Sequence, residues 1–342
     1  MLRHAASLVV PLVLVAQPAA QSGGDRVEQA VDRALVFLRN IQETDGSWRV
    51  GNEKNPAITA LAVMAFLSAG HVPGEGPYAD VVERGVTWVL GQQQPNGLIA
   101  TVGGHEMYHH GICTLMLAEV AGMMQGKRAQ EVKTKLEKAI EVILKAQRTT
   151  GLYAGGWRYR MASPDADMSI TGWQLLALRA AKNLGCDVPA ERIDLAVDYI
   201  KRSRDPRTGG FGYTPGGGYT IPCTGTGILG LEICGKDRHH SREALQAGSF
   251  LIKNAPRWNE NHFFYAIYYC AQATFQLGNN YWNFFRPQLH KVLLDNQQAN
   301  GAWIGSDGYG PAYGTAMSVL ALTVEHRFLP IYQRGEETKP PG

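Results

Sequence analysis

Residues 33–48 read RALVFLRNIQETDGSW, and the order of these side chains describes a single physical unit. A basic-small pair (Arg33-Ala34) precedes an aromatic-aliphatic pair (Phe37-Leu38), and then come Gln42, Gly46 and Trp48. The aromatic-aliphatic pair predicts the buried stripe of an amphipathic helix. Gly46 supplies the positive φ needed just past a helix C-terminus. Gln42 is placed to bond the last unsatisfied carbonyls, or the start of a neighbouring helix, and Trp48 to cover the joint.

The unit recurs, and a repeat of about 45 to 59 residues changes the reading of the whole chain. Arg84-Gly85, Trp88-Val89, Gln93 and Gly97 form a second copy, with Ile99 in the Trp place. Lys138-Ala139, Val142-Ile143, Gln147, Gly151 and Tyr153 form a third, followed by another turn at Gly155-Gly156-Trp157. Val292-Leu293, Gln297, Gly301 and Trp303 form the sixth. The fourth (Ala196, Tyr199-Ile200, Gly209-Gly210-Phe211) and fifth (Ala247, Phe250-Leu251) are degenerate. Taken as one series, the turn aromatics or their equivalents are Trp48, Leu98, Trp157, Phe211, Trp258 and Trp303. Each turn leads into a segment that is apolar on nearly all sides: 57–69, 111–123, 169–184, 220–234, 264–277 and 313–329. A helix of that kind belongs inside a protein.

The Gln-x-x-x-Gly-x-Trp core resembles the QW motif of the squalene-cyclase and prenyltransferase repeat superfamily, and the resemblance runs over residues 27–329. It implies an all-α fold, an α/α toroid of about six helix pairs, with an inner ring of apolar helices wrapped by an outer ring of amphipathic ones. Closure would remove the end faces that an open solenoid must cap, and an open helical array is the alternative. The expected organisation is a signal peptide over residues 1–21, one toroid repeat domain over 22–332 and a polar tail over 333–342.

Composition agrees with a globular chain of 342 residues, 45% hydrophobic and 18% charged. The net charge of +3 is spread among both signs, so nucleic acid is not an expected partner. A basic start (Arg3, His4) and the apolar run 5–16 read as an export signal too short to span a bilayer. The expected location is therefore periplasmic or extracellular, with no transmembrane segment in the mature chain. The five cysteines are an odd number, and Cys113, Cys234 and Cys270 fall within apolar helical patterns that suit small buried hydrophobes.

If all inner helices follow their turns, their N-termini share one mouth of the toroid, where six helix ends favour an anion. Two residues there, Asp165 and Asp167, resemble the Asp-x-Asp-Asp signature of class II terpene cyclases, with Met168 in the last acidic place. That resemblance assigns them as general acids. The plain reading is helix capping, because Asp167 and Ser169 are both favoured N-cap residues. His105-Glu106-Met107-Tyr108-His109 matches a zinc-peptidase string, but the glycines around it place it across a loop and a helix start. A different zinc set would join His110 with Cys223 or His262. Prenyltransferase β-subunits hold zinc with an Asp-x-Cys pair, and here Cys223 follows Ile221-Pro222. No metal and no cofactor are therefore expected. Candidate ligand-binding residues at the mouth are His105, Tyr108, His109, His110, Tyr219, Cys223, Trp258, His262, Tyr309 and Tyr313. Aromatics at helical spacing are more often core, though in a cyclase they would steady carbocations and in a sugar site they would form platforms.

Three functions follow. The first is binding of an apolar or extended, lipid-like small molecule in the central cavity, with Asp165 and Asp167 as acids. Export counts against it, since soluble prenyl diphosphates are cytoplasmic. The second is a non-catalytic binding or scaffold module with a protein partner. The third is a polysaccharide lyase or hydrolase working through paired carboxylates and aromatic platforms.

Overall fold

The computed structural model describes residues 23–101, 103, 105–235 and 240–333. The signal peptide and most of the polar tail expected from sequence lie outside these. Twelve α-helices alternate between two rings among the described residues. The outer helices are α1 (Gly23–Asn40), α3 (Ala79–Gly91), α5 (Gly126–Ala146), α7 (Ala190–Arg202), α9 (Arg242–Leu251) and α11 (Asn279–Leu294). The inner ones are α2 (Pro56–Ser68), α4 (Glu106–Met123), α6 (Met168–Asn183), α8 (Ile221–Cys234), α10 (Phe263–Gln276) and α12 (Gly310–Leu322). Each inner helix packs on the next, and α12 packs on α2, so the ring closes as an α/α toroid. A hairpin of two-residue strands, β1 (Arg49–Val50) and β2 (Glu53–Lys54), is the regular β-structure among the described residues. None of the described helices is long and apolar enough to cross a membrane.

The repeated residues build the joints between outer helices. Gln42 Nε2 donates to Gly46 O in its own turn and to Val81 O in α3, at 3.1 and 2.9 Å. Gln93 spans Gly97 O and Lys135 O, Gln147 spans Gly155 O and Arg192 O, and Gln297 spans Gly301 O and Ala30 O. The last of these stitches the end of the ring to its beginning. The motif's basic residue answers from the next helix, as Arg84 donates to Gln42 Oε1 at 2.5 Å and Arg33 to Gln297 Oε1. In the fourth joint the roles are exchanged, with Arg204 on the turn donating to Gln246 in α9. In the fifth, Tyr281 OH donates to Leu245 O.

In the first, third and sixth joints the aromatic is fixed twice. The indole N–H of Trp48, Trp157 and Trp303 donates to Leu38 O, Ile143 O and Leu293 O in the last turn of the preceding helix. The backbone N–H of the same residues, and of Phe211, donates to a buried threonine one turn into the next inner helix: Thr59, Thr171, Thr315 and Thr224. Such a buried N–H must be satisfied, and one hydroxyl position in the repeat does it.

Three expectations from sequence shift by a few residues. In the third repeat the joint is formed by Gly155 and Trp157 rather than Gly151 and Tyr153, because the turn after Gln147 is longer and Gly155 is the residue pressed against α7. In the second, Ile99 takes the Trp place as its motif position indicates, which moves the series of turn residues on from Leu98, and its N–H bonds to His110 Nδ1 at 3.0 Å. The last inner helix stops at Leu322 instead of continuing to 329. Two 3₁₀ turns, Val324–His326 and Pro330–Tyr332, follow, separated by Arg327 in the left-handed region at φ 54°. They fold under the ring at the end opposite the mouth, where Tyr332 and Tyr268 share a hydroxyl bond of 2.5 Å.

Ring closure gives a direct test. Gly301 has φ +91°, and a Cβ there would fall 2.3 Å from Arg33 O, whereas Gly51 at φ +56° has nothing within 4 Å. Gly301→Ala is expected to cost about 3 kcal/mol or more in urea denaturation, and Gly51→Ala about 1 kcal/mol from backbone strain alone. Equal losses would mean that the seam between Gly301 and α1 is not close-packed.

Candidate functional site

The inner helices run parallel, so six N-termini meet at one end. Asn55 caps α2 through Ile58 N, Asp167 caps α6 through Ile170 N, and Thr220 caps α8 through Cys223 N. The α10 terminus is capped from a neighbouring loop, with Asp307 accepting from Phe263 N and Phe264 N at 3.1 and 2.9 Å. Glu106, at the start of α4, accepts from Met161 N. Most carboxylates of the mouth thus neutralise helix ends and fix loops.

Arg158 is the centre of the mouth. Its guanidinium lies 3.3 Å from Asp165 and 3.1 Å from Asp167, donates to Tyr213 OH at 3.1 Å, and sits over the rings of Tyr159 and Tyr213. Tyr159 and Tyr213 are also joined through their hydroxyls. From the other side, Tyr108 OH donates to Ser169 Oγ at 2.6 Å, and Ser169 Oγ donates to Asp167 Oδ1 at 2.5 Å. Asp167 is fully buried and accepts from Ser169, Ile170 N and Arg158. Burial raises its carboxyl above the ordinary range, while the Ser169 and Ile170 bonds and the Arg158 charge pull it down. Asp165 keeps an open face, with 37% of its side chain exposed.

The other residues expected at the mouth divide into three groups: part of it, exposed at its edge, or built into the framework. Tyr108, His109, Tyr309 and Tyr313 belong to the mouth. His109 bonds Asn55 and the Thr101 backbone N–H at 3.3 Å each, and burial, helped by His105, lowers its imidazole to about 4. Tyr313 packs edge-on against both Tyr309 and Phe264. Burial holds the Tyr108, Tyr265 and Tyr313 phenols well above the usual tyrosine range, so they act as neutral hydroxyls. His105 is the exposed N-cap of α4, with its ring against Tyr159. Tyr219 is exposed on the α7–α8 loop and leans on Phe250, and His262 is exposed in the left-handed region.

His110, Cys223 and Trp258 serve the framework. His110 is fully buried, accepts from Ile99 N and bonds Ala139 O at 2.9 Å. It stands where four other repeats have threonine. Cys223 is buried and its thiol is pushed up to about 12, and all five cysteines are free and buried. Trp258 packs on Phe263 and Phe264. No group of three or more His, Cys, Asp or Glu is placed to hold a metal ion among the described residues.

The residues that sequence reasoning missed are Arg158, Tyr159 and Tyr213. A signal was present, since Tyr159 and Tyr213 each stand two places after a turn aromatic, Trp157 and Phe211. In that register the chain crosses the rim, and the Tyr159 and Tyr213 carbonyls accept from Met107 N and Met168 N at the preceding inner helix.

Below this layer the axis is filled by side chains. Tyr265 OH reaches across to Ser169 O at 3.2 Å, and Trp173 of α6 stacks on Tyr268 of α10 at 5.5 Å and 8°. Tyr269 meets the same indole edge-on, and all three rings are buried. α8 allows this approach because it is small where its neighbours press. A Cβ on Gly225 would meet Cys270 N at 2.9 Å, and one on Gly172 of α6 would meet Thr226 at 2.4 Å.

No family model matches the chain, and no curated protein matches it in sequence. Its likeness is to solved structures. One is an alpha-1,6-mannanase of Salegentibacter sp. HEL1_6, with TM-score 0.68 and 13% identity over 88% of this chain and 99% of that one. An inactive variant of that enzyme, in complex with alpha-1,6-mannotriose, aligns with TM-score 0.69 and 12% identity over 87% and 98%. Another is the type II terpene cyclase MstE from Scytonema, with TM-score 0.60 and 16% identity over 89% and 100%. The shared feature is the α/α toroid. Identities this low speak for the fold alone.

The substitution of histidine for threonine in the second joint has a pH signature. Burial lowers His110 from 6.5 to about 4, with the Ala139 bond opposing, so the folded state keeps it neutral while the unfolded state binds a proton below 6.5. Stability should therefore fall as pH drops from about 6.5 to about 4, by up to about 3 kcal/mol from this residue. Denaturation of His110→Thr, measured across that window, should show a pH dependence shallower by about one proton. An unchanged slope would show that His110 is not held neutral.

Proposed function

We propose that this chain is a binding toroid that recognises a polar, hydroxyl-rich extended ligand, an oligosaccharide, at the mouth formed by Tyr108, Arg158, Asp165, Tyr213, Tyr309 and Tyr313. The observation that carries the reading is the filled axis beneath an open, polar and aromatic rim. Trp173, Tyr268 and Tyr269 occupy the space that a long apolar substrate would need. Above them, neutral tyrosine hydroxyls, a fork of guanidinium donors and an exposed carboxylate offer donors and acceptors beside ring faces. That combination suits a sugar, whose hydroxyls need partners and whose C–H faces stack on aromatics.

Binding without chemistry suits Asp167, because its carboxylate is closed from solvent and already accepts three hydrogen bonds. An acid acting on a ligand must reach it. A second reading is glycoside hydrolysis with Asp165 as the accessible carboxylate. The likeness to a mannanase toroid crystallised with an oligosaccharide supports it. Export through the N-terminal segment, which is part of this proposal, suits either reading, since cell-wall and extracellular glycans lie outside the cytoplasm.

An oligosaccharide array followed by calorimetry of the best binder tests the proposal. Tyr309, 49% exposed and flanked by Gly308 and Gly310, can be truncated with little cost to folding. Tyr309→Ala should weaken binding about tenfold, equivalent to about 1.4 kcal/mol, with stability unchanged. Mass spectrometry of the incubated glycans separates the readings. Shortened products that disappear in Asp165→Asn would replace binding by hydrolysis. Absence of any glycan ligand, together with saturable binding of an isoprenoid, would overturn both.

A further inference from the structure

The end of the toroid opposite the mouth is hollowed as well. The last turns of α4 and α6 and the 3₁₀ turn Pro330–Tyr332 line a half-open cavity of about 290 Å³. Glu119 forms part of its wall, only 1% exposed. Its Oε2 accepts from Ile331 N at 3.3 Å, while its Oε1 is buried with no hydrogen-bonding partner. A buried carboxyl oxygen with no partner is costly unless something arrives to satisfy it. The rest of the wall decides what that is. Met123, Leu184 and Phe328 give it an apolar side, and Asn183 and Gln333 are its remaining polar side chains. Among the described residues no Lys, Arg or His lines it. Two helix C-termini, at Met123 and Asn183, direct the partial negative charge of their last carbonyls toward the same space.

We propose that this cavity binds the ammonium group of a small primary amine, with Glu119 as counter-ion and the Met123, Leu184 and Phe328 surface covering a short alkyl chain. A carboxyl oxygen, helix C-termini and an aromatic ring all favour a cation, and the apolar wall favours an organic one over a hydrated metal ion. Burial pushes the Glu119 carboxyl up to about 8, with the Ile331 N–H opposing. The ionisable groups facing it are the hydroxyls of Tyr268 on α10 and Tyr332 on the 3₁₀ turn, both held neutral by burial. At neutral pH the arriving ammonium therefore displaces a proton from Glu119 to the buffer, so charge balances on binding.

Calorimetry and saturation-transfer NMR of the full chain with n-butylammonium chloride test the site, with n-butanol and potassium chloride as comparison ligands. Saturable binding of n-butylammonium, at least tenfold tighter than n-butanol, is expected, and potassium should not compete. The heat should vary with the ionisation enthalpy of the buffer as a proton is released. Glu119→Gln keeps the size and the acceptor for Ile331 N, and should weaken the amine at least tenfold while leaving n-butanol unchanged. Absence of saturable amine binding, equal binding of n-butanol, competition by potassium, or full binding by a folded Glu119→Gln protein would each overturn the proposal. Should Glu119→Gln fail to fold, the amine-to-alcohol ratio in the unaltered protein decides alone.

Discussion

A buried backbone N–H at the entrance to five of the six inner helices is the constraint from which this toroid follows. The turn that reverses the chain between the rings is pressed under the next outer helix, so its amide cannot reach water. Four repeats answer with a threonine hydroxyl one turn into the inner helix, and one answers with His110. Because the donor sits on the turn and the acceptor on the helix, the bond fixes both the depth and the direction of the inner helix. All six then begin at one rim, and the rim becomes a place where residues from distant repeats meet.

The same small-residue packing that tightens the ring decides what the rim can be. Gly225 and Gly172 let α8 lie close against its neighbours, and α6 and α10 reach each other through Trp173 and Tyr268. Aromatics that a sequence reader would set around a substrate instead fill the axis. Polar side chains are left to the outer layer, where Arg158 gathers two carboxylates and two tyrosines into one network. Asp167 shows how such a network recasts a residue. In sequence it stands where a cyclase has its acid, and in the fold it is a helix cap locked by an ion pair.

The architecture was legible because its determinants are local. Gln42, Gly46 and Trp48 lie within one turn of chain, and their copies at 93–99 and 297–303 carry the same instructions. Reading became less sharp where the instructions changed length or identity. The longer turn after Gln147 moved the working glycine from Gly151 to Gly155, and Arg204 took over a bond that glutamine makes elsewhere. Neither exchange leaves a mark in sequence, since only the neighbouring helix shows which glycine is crowded and which side chain reaches it. The candidate site was half legible. Tyr108, His109, Tyr309 and Tyr313 were found from their places at helix starts, while Arg158, Tyr159 and Tyr213 sat in a loop whose path over the rim was unknown.

By itself the sequence determined the repeat, the helix pairing, the capping residues and which helices would be inside, because hydrophobic period and turn chemistry act over a few residues. Tertiary structure alone decided that the ring closes through Gln297 and Ala30, that the axis is filled, that His110 replaces a threonine, and that Glu119 is left with an unanswered oxygen. Each of these depends on how closely two segments far apart in the chain approach. That distance is set by the packing of the whole ring and by no single stretch of it.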